Sequence, residues 1–448
     1  MGVGMTCHEG MVSRTRYRRQ IAASDRGATR AADAPSVASM RRVAITGLGA
    51  VTPVGNDLRS TWDALVAGRS GVDVIKAFDA TGFPVNIAAE VKDFDATKAM
   101  SPKEVRRTSY DVHFAVAAAL EAAADAELVV DKPSRTGVVI GSVMGGLPYT
   151  LQQQRILEER GWERVSPHWL PNTLVDTSTS HVATLLGARG VNYATESACA
   201  TGTHAIGEAA AAIARDQADV VLAGATESSM VPIILAGFCA MRALVDGRDD
   251  PAGASRPFDA TRAGFVMAEG AAVLVLEELE RAQARGARIY AELVGYGASN
   301  DAYHIATPHP ESIGVIEMMH DALERAGMQP DEVDYINAHG TSTPYNDAAE
   351  TQAIKQVFGE HAYRMAISSN KSMIGHLFGA AGAVEALATA LTIHHGVIPP
   401  TINLHHPDPE CDLDYVPNAA RTAEVRTGLS NSMGLGGHNA CLIMRRVE

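Results

Sequence analysis

Short apolar runs alternate along this chain with longer stretches of small apolar residues at helical spacing. The runs at residues 42–51, 136–141, 219–226 and 270–277 have the length and the Val, Ile and Leu content of buried strands. Residues 203–214 are small and apolar on nearly every face, which is typical of a helix inside a core. The alternation of such strands and helices predicts an α/β fold.

The same order of segments recurs in the second half of the chain. Each half reads strand, helix, strand, strand, buried helix and two strands. The counterparts of the opening strand, the buried helix and the two paired strands are residues 291–298, 375–386, 427–433 and 439–444. A repeat period of about 200 residues is too long for a solenoid, so it predicts a duplicated domain. Because no Pro- or Ser-rich linker separates the halves, residues 41–288 and 289–448, we expect them to pack as one body.

The first 40 residues differ from the rest because they are rich in Arg and offer little that could form a core. An organelle transit peptide has a similar composition, but Glu9, Asp25 and Asp33 weaken that interpretation. We therefore expect residues 1–40 to be a disordered extension, with Met40 as an alternative start.

The composition narrows the classes of function. The 448 residues carry a formal net charge of −14, which argues against nucleic acid as a partner. No apolar run approaches the roughly 20 residues of a membrane span, so no membrane partner is expected. The five cysteines form no CxxC pair, which favours reduced thiols in the cytoplasm over a disulfide framework or a zinc site. Gly47-Leu-Gly49 lacks the third glycine of a dinucleotide fingerprint, and we expect neither a cofactor nor a metal.

Cys199 is the first candidate for chemistry. It lies between a strand-like run at residues 191–194 and the buried helix at residues 203–214. The unpaired N–H groups and the positive dipole end at a helix start favour a thiolate at this place. For a cysteine considered alone, an inert buried thiol is the alternative.

Two histidines lie at corresponding points of the second half. His339 follows a strand and opens a Gly/Thr/Ser/Pro turn, and His376 precedes the second buried helix. Backbone polar groups converge at strand ends and helix starts of α/β folds, and sites form there for that reason. Each histidine alone would fit an ordinary core or surface position, whereas together with Cys199 they predict a Cys-His-His cluster.

Four motifs, in this order and at this spacing, make the sequence recognisable. They are TESACATG, NAHGTSTP, SNKSMIGH and SNSMGLGGHN, at residues 195–202, 337–344, 369–376 and 430–439. From about Arg42 to the C-terminus the chain resembles the β-ketoacyl-acyl carrier protein synthases of the type I/II class, the elongating synthase II group of bacterial fatty-acid synthesis in particular. The resemblance implies the thiolase fold, with duplicated βαβαβαββ halves in α-β-α-β-α layers, and a homodimer.

The resemblance also implies the reaction, a decarboxylative Claisen condensation in fatty-acid elongation. Cys199 would take an acyl chain from acyl carrier protein as a thioester, and the carbanion from malonyl-acyl carrier protein would attack it, giving 3-oxoacyl-acyl carrier protein and CO2. His339 and His376 would stabilise the enolate as neutral N–H donors. The backbone N–H groups of Cys199 and Leu435 would form a second oxyanion hole.

Other site residues follow from the same family pattern. Lys371 would pair with Glu350, with Asp347 as a further supporting residue. Thr341 and Thr343 would contact the malonyl and pantetheine groups.

The C-terminal motif departs from the family pattern, which usually has aromatic residues where Met433 and Leu435 stand. Leu435 replaces the family's gate residue, so we expect weaker gating. Phe238 matches the other gating phenylalanine, and Met144 matches the position that limits the depth of the acyl pocket.

A basic patch for docking the acidic carrier protein is predicted on one helix. Ser101, Pro102 and Glu104 form a capping-box pattern that opens a helix through about residue 124. Basic residues recur on it at spacings i, i+3 and i+4, which would put them on one helix face. The docking residues implied by the resemblance are Lys103, Arg106, Arg107 and Arg242.

Three other classes of protein share parts of this pattern. A biosynthetic thiolase needs a second reactive cysteine near the C-terminus, whereas Cys441 lies in an apolar strand. A non-catalytic chain-length partner subunit would lack the nucleophile, and Cys199 is present. A ketosynthase of a polyketide or other specialised pathway carries the same motifs, and this alternative stays open.

Overall fold

The computed structural model describes residues 40–447, so the extension expected at residues 1–40 lies, apart from Met40, outside the described part. From Arg41 onward the chain forms one compact unit. Its strands are β1 Val43–Val51, β2 Asp73–Val74, β3 Ile87–Ala88, β4 Thr136–Gly141, β5 Asn192–Tyr193, β6 Val220–Glu227, β7 Gly270–Glu278, β8 Ala291–Asn300, β9 Tyr335–Asn337, β10 Ala366–Ser368, β11 Val397–Ile398, β12 Arg421–Thr422, β13 Thr427–Gly434 and β14 His438–Arg445.

Twelve α-helices accompany these strands in the described range. They are α1 Leu58–Val66, α2 Pro102–Val105, α3 Tyr110–Asp125, α4 Leu147–Arg160, α5 Thr177–Leu186, α6 Thr201–Ala214, α7 Pro232–Met241, α8 Leu279–Ala284, α9 Ile313–Ala326, α10 Pro344–Phe358, α11 Lys371–Ile374 and α12 Ala381–His395. Between Met40 and Val447, none of them is long and apolar enough to cross a membrane.

The duplication predicted from the sequence is present in the strand order. Ten strands are hydrogen-bonded in the order β10-β9-β13-β14-β8-β1-β7-β6-β4-β5, and this order is symmetric about the centre. The two five-stranded halves join where β1 pairs antiparallel with β8, with Val43 opposite Leu293 and Ile45 opposite Ala291. Each half therefore repeats one βαβαβαββ pattern, as expected for the thiolase-like fold.

The layering follows from which faces are apolar. All residues of β6 and nearly all of β7 are buried, which requires cover on both faces of the sheet. Helices α6 and α12 pack against each other and against strands of both halves, while α3 and α5 cover the first half from outside and α9 covers the second. The result is the expected α-β-α-β-α arrangement.

The two central helices approach closely because small residues line their contact. A Cβ on Gly202 of α6 would lie 2.6 Å from the backbone N of Ala383, and one on Gly382 of α12 would lie 2.1 Å from Thr203 Oγ1. The start of α6, next to Cys199, is therefore fixed against the start of α12.

The prediction of one helix from residue 101 to about residue 124 is wrong in one respect, because the structure divides this segment into the two helices α2 and α3. The capping box at Ser101 and Glu104 is present. Thr108 Oγ1 then donates 2.8 Å to the Glu104 carbonyl, and Ser109 is extended, with φ −91° and ψ 166°. Such local side-chain bonds compete with helix continuation. The docking residues expected on one helix face are thus split between α2 and the turn after it.

Candidate active site

Cys199 lies on a tight turn just before α6, where the sequence predicted it. Ala198 is left-handed with φ 49°, and the backbone N–H of Ala200 donates 3.1 Å to the Ser197 carbonyl. Thr201 Oγ1 accepts the N–H of Ser197 at 2.9 Å and donates to the Ala198 carbonyl at 2.7 Å. This network fixes the turn, and Cys199 lines a cavity.

The helix start was expected to favour a thiolate at Cys199, and burial opposes that effect. Burial raises the pKa of the Cys199 thiol to about 11, and this effect outweighs the opposing influence of Lys371 and a hydrogen bond from the Leu435 backbone. Desolvation penalises a charged sulfur more than the dipole of α6 stabilises it here. The resting residue is therefore a neutral thiol.

His339 and His376 come together beside this thiol in the same cavity. Their rings are perpendicular, with centroids 5.4 Å apart, and both residues are buried. Burial, with Lys371 as the next cause, holds the pKa of both imidazoles well below the ordinary value. At neutral pH both rings are uncharged N–H donors.

His376 owes its position to the late start of the second buried helix. That helix was expected over residues 375–386, but α12 begins at Ala381. The backbone of His376 instead bonds to a neighbouring segment, its N–H to the Val266 carbonyl at 2.8 Å and its carbonyl to the Ala268 N–H at 3.0 Å. This pairing holds the imidazole outside the helix, where it can face the cavity.

The predicted partner of Lys371 is wrong. Lys371 forms a fully buried ion pair with Glu385 of α12, and its Nζ lies 3.4 Å from Nδ1 of His339. Glu350, the expected partner, accepts the backbone N–H groups of His339 and Gly340 at 2.8 and 2.9 Å. Glu350 faces that loop from α10 and fixes its backbone, so its carboxylate is already used.

Glu385 was missed although the sequence carries a signal for it. It is the single charged carboxylate in α12, a helix that is otherwise buried along nearly its whole length. A lone acidic residue in such a helix requires a buried partner. Burial raises the pKa of Glu385 and of Glu350 to about 7, which reflects the cost of placing these carboxylates inside the protein.

The other residues of the histidine loop divide into two groups. Thr341 and Thr343 line the cavity, with their hydroxyl oxygens 3.0 Å apart. Asp347 is fully buried behind them and accepts the N–H groups of Phe258 at 3.0 Å and Ser342 at 3.2 Å. Asp347 supports the loop from behind, and its carboxylate is engaged by backbone groups.

A cavity of about 650 Å³ brings most of the predicted residues together. Besides the cysteine, the two histidines and the two threonines, it is lined by predicted residues Met144, Phe238, Arg242, Met433 and Leu435. Lys371 lies behind His339 rather than in the lining, where it acts on the imidazole.

Phe238, one of the two predicted gating residues, packs with two other phenylalanines rather than with Leu435. Phe238 stacks on Phe378, with centroids 5.3 Å apart and planes 12° apart, and Phe265 meets both rings edge-on. Leu435 is 41% exposed and lies outside this ring cluster. Phe265 and Phe378 were missed by sequence reasoning, although Phe378 follows His376 by only two residues.

The proposed docking residues are all exposed. Lys103 and Arg106 belong to α2 and its end, Arg107 to the following turn, and none of the three lines the cavity. Arg242 ends α7 in the left-handed region at φ 55° and lies at the cavity mouth. Between residues 40 and 447 none of the four forms an ion pair with a carboxylate.

A duplicated α/β fold that presents one cysteine and two neutral histidines to a single cavity defines a condensing enzyme of the thiolase-like class. The profile described as "Beta-ketoacyl synthase, N-terminal domain" matches residues 40–282, and "Beta-ketoacyl synthase, C-terminal domain" matches residues 290–405. The chain therefore belongs to the β-ketoacyl synthase family, which confirms the resemblance drawn from its motifs.

Individual relatives agree with this assignment. The chain is 48% identical over 410 residues to 3-oxoacyl-[acyl-carrier-protein] synthase 2 of Synechocystis, covering 91% of this chain and 99% of that protein. It is 47% identical to the protein of the same description from Coxiella burnetii, with the same coverage. A β-ketoacyl synthase from Burkholderia phymatum has a similar structure, with a TM-score of 0.85, 37% identity and coverage of 91% of this chain and 100% of that one. A type II polyketide ketosynthase solved with its acyl carrier protein has a TM-score of 0.84 and 34% identity, with the same coverage.

Proposed function

We propose that this protein condenses acyl-acyl carrier protein with malonyl-acyl carrier protein to 3-oxoacyl-acyl carrier protein and CO2, in fatty-acid elongation. The observation that carries the proposal is the single cavity that holds Cys199, His339 and His376 in a chain of the β-ketoacyl synthase family. The first half supplies the nucleophile and the second half the histidines. We accordingly propose residues 41–288 and 289–448 as the two functional halves.

In the first step the Cys199 sulfur attacks the acyl thioester and the carrier's thiol leaves. Because the pKa of the resting thiol is about 11, its proton must move to the leaving sulfur or to solvent as the S–C bond forms. The N–H groups of Cys199 and Leu435 can share the oxyanion, because the Leu435 backbone already bonds to the Cys199 thiol. A Cβ on Gly434 would lie only 3.0 Å from the Cys199 nitrogen. Close approach of this strand thus requires glycine at position 434.

In the second step malonyl-acyl carrier protein loses CO2, and its enolate oxygen accepts hydrogen bonds from His339 and His376. The Lys371 ammonium faces Nδ1 of His339 at 3.4 Å, so it favours the tautomer with the proton on Nε2. The carbanion then attacks the acyl-cysteine, a C–C bond replaces the C–S bond, and the departing Cys199 thiolate takes a proton from solvent. A sulfur with a high pKa takes that proton readily, which resets the enzyme for the next cycle.

The lining of the cavity favours a hydrocarbon chain over a polyketide chain. Its acyl end consists of Val143, Met144, Phe238, Phe265 and Phe378. Carbonyl oxygens of a polyketide would be buried there without side-chain donors, at a cost of about 1–3 kcal/mol each. A ketosynthase of a specialised pathway is therefore the second candidate, favoured only by the similarity to polyketide ketosynthases.

We propose that acyl carrier protein docks on Lys103, Arg106, Arg107 and Arg242. All four are exposed and unpaired in the described range, so their charge is available to an acidic partner. A solved relative, described as a ketosynthase in complex with its acyl carrier protein, supports this kind of partner.

We further propose a homodimer formed through β5. This strand is the outermost of the first half, and its residues Asn192 and Tyr193 are exposed. Its outer edge carries backbone N–H and C=O groups that can pair with a second copy. Sedimentation at micromolar concentration should give a dimer mass.

The free thiols at Cys199, Cys239, Cys411 and Cys441 fit the cytoplasm, our proposed location.

The two histidines give the test of the proposed roles. His339→Ala or His376→Ala should leave acylation of Cys199 intact, since that step uses the backbone oxyanion hole. Either change should lower decarboxylation of malonyl-acyl carrier protein by roughly 10²–10³, the usual loss for one such donor. Intact-protein mass spectrometry measures the first step and CO2 release the second. Condensation at near wild-type rate in either variant would remove that histidine from the mechanism.

A further inference from the structure

One buried carboxylate that has no role in the reaction joins two walls of the acyl cavity. Glu227 ends β6 and is 0% exposed. Its Oε2 accepts the N–H of Val143 at 3.0 Å and that of Gly379 at 3.4 Å. Its Oε1 accepts the N–H of Met144 at 3.2 Å. These three donors come from two segments that are far apart in sequence, and Glu227 joins them.

The carboxylate is held by dipoles alone. Ser229 Oγ donates to Oε1 at 2.9 Å, and Ser142 Oγ lies 3.5 Å away. In the range from Met40 to Val447 no Lys or Arg forms an ion pair with Glu227. Burial raises the pKa of Glu227 to about 7, and buried Asp111 adds to this effect. A carboxylate under such a penalty is kept in place by the backbone groups it binds.

Both anchored segments present side chains to the substrate. Val143 and Met144 form one side of the acyl end of the cavity. On the other side stands Phe378, immediately before Gly379, with a left-handed backbone at φ 48°. That conformation costs a bulky residue of order 1 kcal/mol or more, so it persists only where surrounding bonds fix it. The Gly379 bond to Glu227 is one of them.

We propose that Glu227 is a positioning residue that sets the separation of these two walls and thereby the acyl-chain selectivity of the enzyme. The inference rests on the proposed function, because it concerns the acyl group that Cys199 accepts. Glu227 contacts no substrate, since it lies behind the lining of the cavity.

The substitution Glu227→Gln tests this role with little change in size. An amide has one acceptor oxygen and one donor nitrogen. Whichever way the amide turns, at least one of the three wall N–H groups then faces a donor. The walls should move apart, and longer chains should be accepted relatively better.

The measurement is the rate of Cys199 acylation by a series of straight-chain acyl-pantetheine thioesters of increasing length. In Glu227→Gln the ratio of the acylation rates for the best and the worst chain lengths should change by at least about tenfold. This is the factor expected for the loss of one hydrogen bond to a charged group. Glu121→Gln is the matched control. Glu121 is also a carboxylate whose pKa burial raises to about 7, and it accepts the N–H groups of Ala50 and Leu58 away from the cavity. Its variant should keep the wild-type length profile.

Gly379→Ala perturbs the same junction from the other wall. Its Cβ would lie 2.9 Å from Val143 Cγ2 and 3.0 Å from Glu227 Oε2, so it should shift the profile as well, even if Glu227→Gln fails to fold. An unchanged profile in the variants, or an equal change in Glu121→Gln, would overturn the positioning role. Absence of acylation in wild type would instead contradict the proposed function itself.

Discussion

At Cys199, His339 and His376 the pKa shifts come mainly from burial rather than from neighbouring charges. Burial raises the pKa of the thiol to about 11 and holds both imidazoles neutral. A neutral thiol and neutral N–H donors suit a reaction in which negative charge develops only in transit. The three reacting groups are therefore uncharged, and the buried ion pair of Lys371 and Glu385 lies next to them.

The raised thiol pKa makes a direct prediction for alkylation. Only the thiolate reacts with iodoacetamide, so the rate at Cys199 should rise about tenfold for each pH unit between about pH 7 and pH 9. The rate is measured by mass spectrometry of the peptide that contains Cys199. The Cys199→Ala variant gives the background rate of alkylation at Cys239. A rate that levels off near neutral pH would indicate a lowered pKa and contradict this description.

Sequence reasoning identified the reacting residues but not all of their partners. The motifs place the cysteine, the histidines and Lys371, because these residues are read from local patterns. The partner of Lys371 depends on how α10 and α12 pack, which no local sequence pattern contains. The family pattern therefore suggested Glu350, whereas the structure pairs Lys371 with Glu385. The raised pKa of the Cys199 thiol could not be predicted for a related reason, since the depth of burial is a property of the whole fold.

At the scale of elements, the loop after β13 is held against the loop after β8. The N–H of Gly436 donates 2.8 Å to the Ile305 carbonyl, and Asn300 Nδ2 donates 2.9 Å to the Gly436 carbonyl. The N–H of Asp301 donates 2.9 Å to the Gly437 carbonyl. These bonds fix the backbone beside Leu435, which lines the cavity and is 41% exposed.

Leu435 should therefore gate the cavity poorly. Malonyl-acyl carrier protein should be decarboxylated partly without condensation, giving more CO2 than 3-oxoacyl product. In Leu435→Phe a ring can cover the sulfur next to the Phe238 and Phe378 stack, so the ratio of CO2 to product should fall toward one. Both quantities are measured in one assay with acyl- and malonyl-acyl carrier protein. A wild-type ratio already near one, unchanged by the substitution, would show that position 435 does not gate.

Strands were predicted better than helix ends. Residues 136–141 form β4 as expected, and β6, β7, β13 and β14 differ from the expected bounds by at most one residue at either end. The long helix predicted from residue 101 is interrupted at Thr108, whose hydroxyl bonds to the Glu104 carbonyl, and at Ser109, whose hydroxyl bonds to the Asp111 carboxylate. Buried apolar runs mark strands clearly, whereas a polar side chain can end a helix that its apolar spacing would continue.

For the whole molecule, the duplication explains why the nucleophile and the histidines meet. Each half contributes one buried central helix, and α6 and α12 cross where Gly202 and Gly382 allow close contact. Cys199 precedes one helix and His376 the other. The sequence predicted the repeat because the motifs recur in order, and the pairing of β1 with β8 follows from packing the halves as one body.

Carrier docking is tested at this scale by charge reversal. Changing Lys103, Arg106, Arg107 and Arg242 to Glu should raise KM for carrier-bound substrates several-fold and flatten its dependence on salt. Turnover of small pantetheine thioesters should hardly change in the variants of Lys103, Arg106 and Arg107, because these three residues do not line the cavity. Equal loss with both kinds of substrate would indicate a folding defect and contradict the docking assignment.

The most direct test of the account is the mass of the protein after exposure to acyl-acyl carrier protein. Wild type should gain one acyl group on the peptide that contains Cys199, and addition of malonyl-acyl carrier protein should remove it as 3-oxoacyl product. Cys199→Ala should remain folded, gain no acyl group and form no product. Acylation of Cys239 or Cys441 instead, with the variant still condensing, would contradict the central claim that Cys199 is the nucleophile.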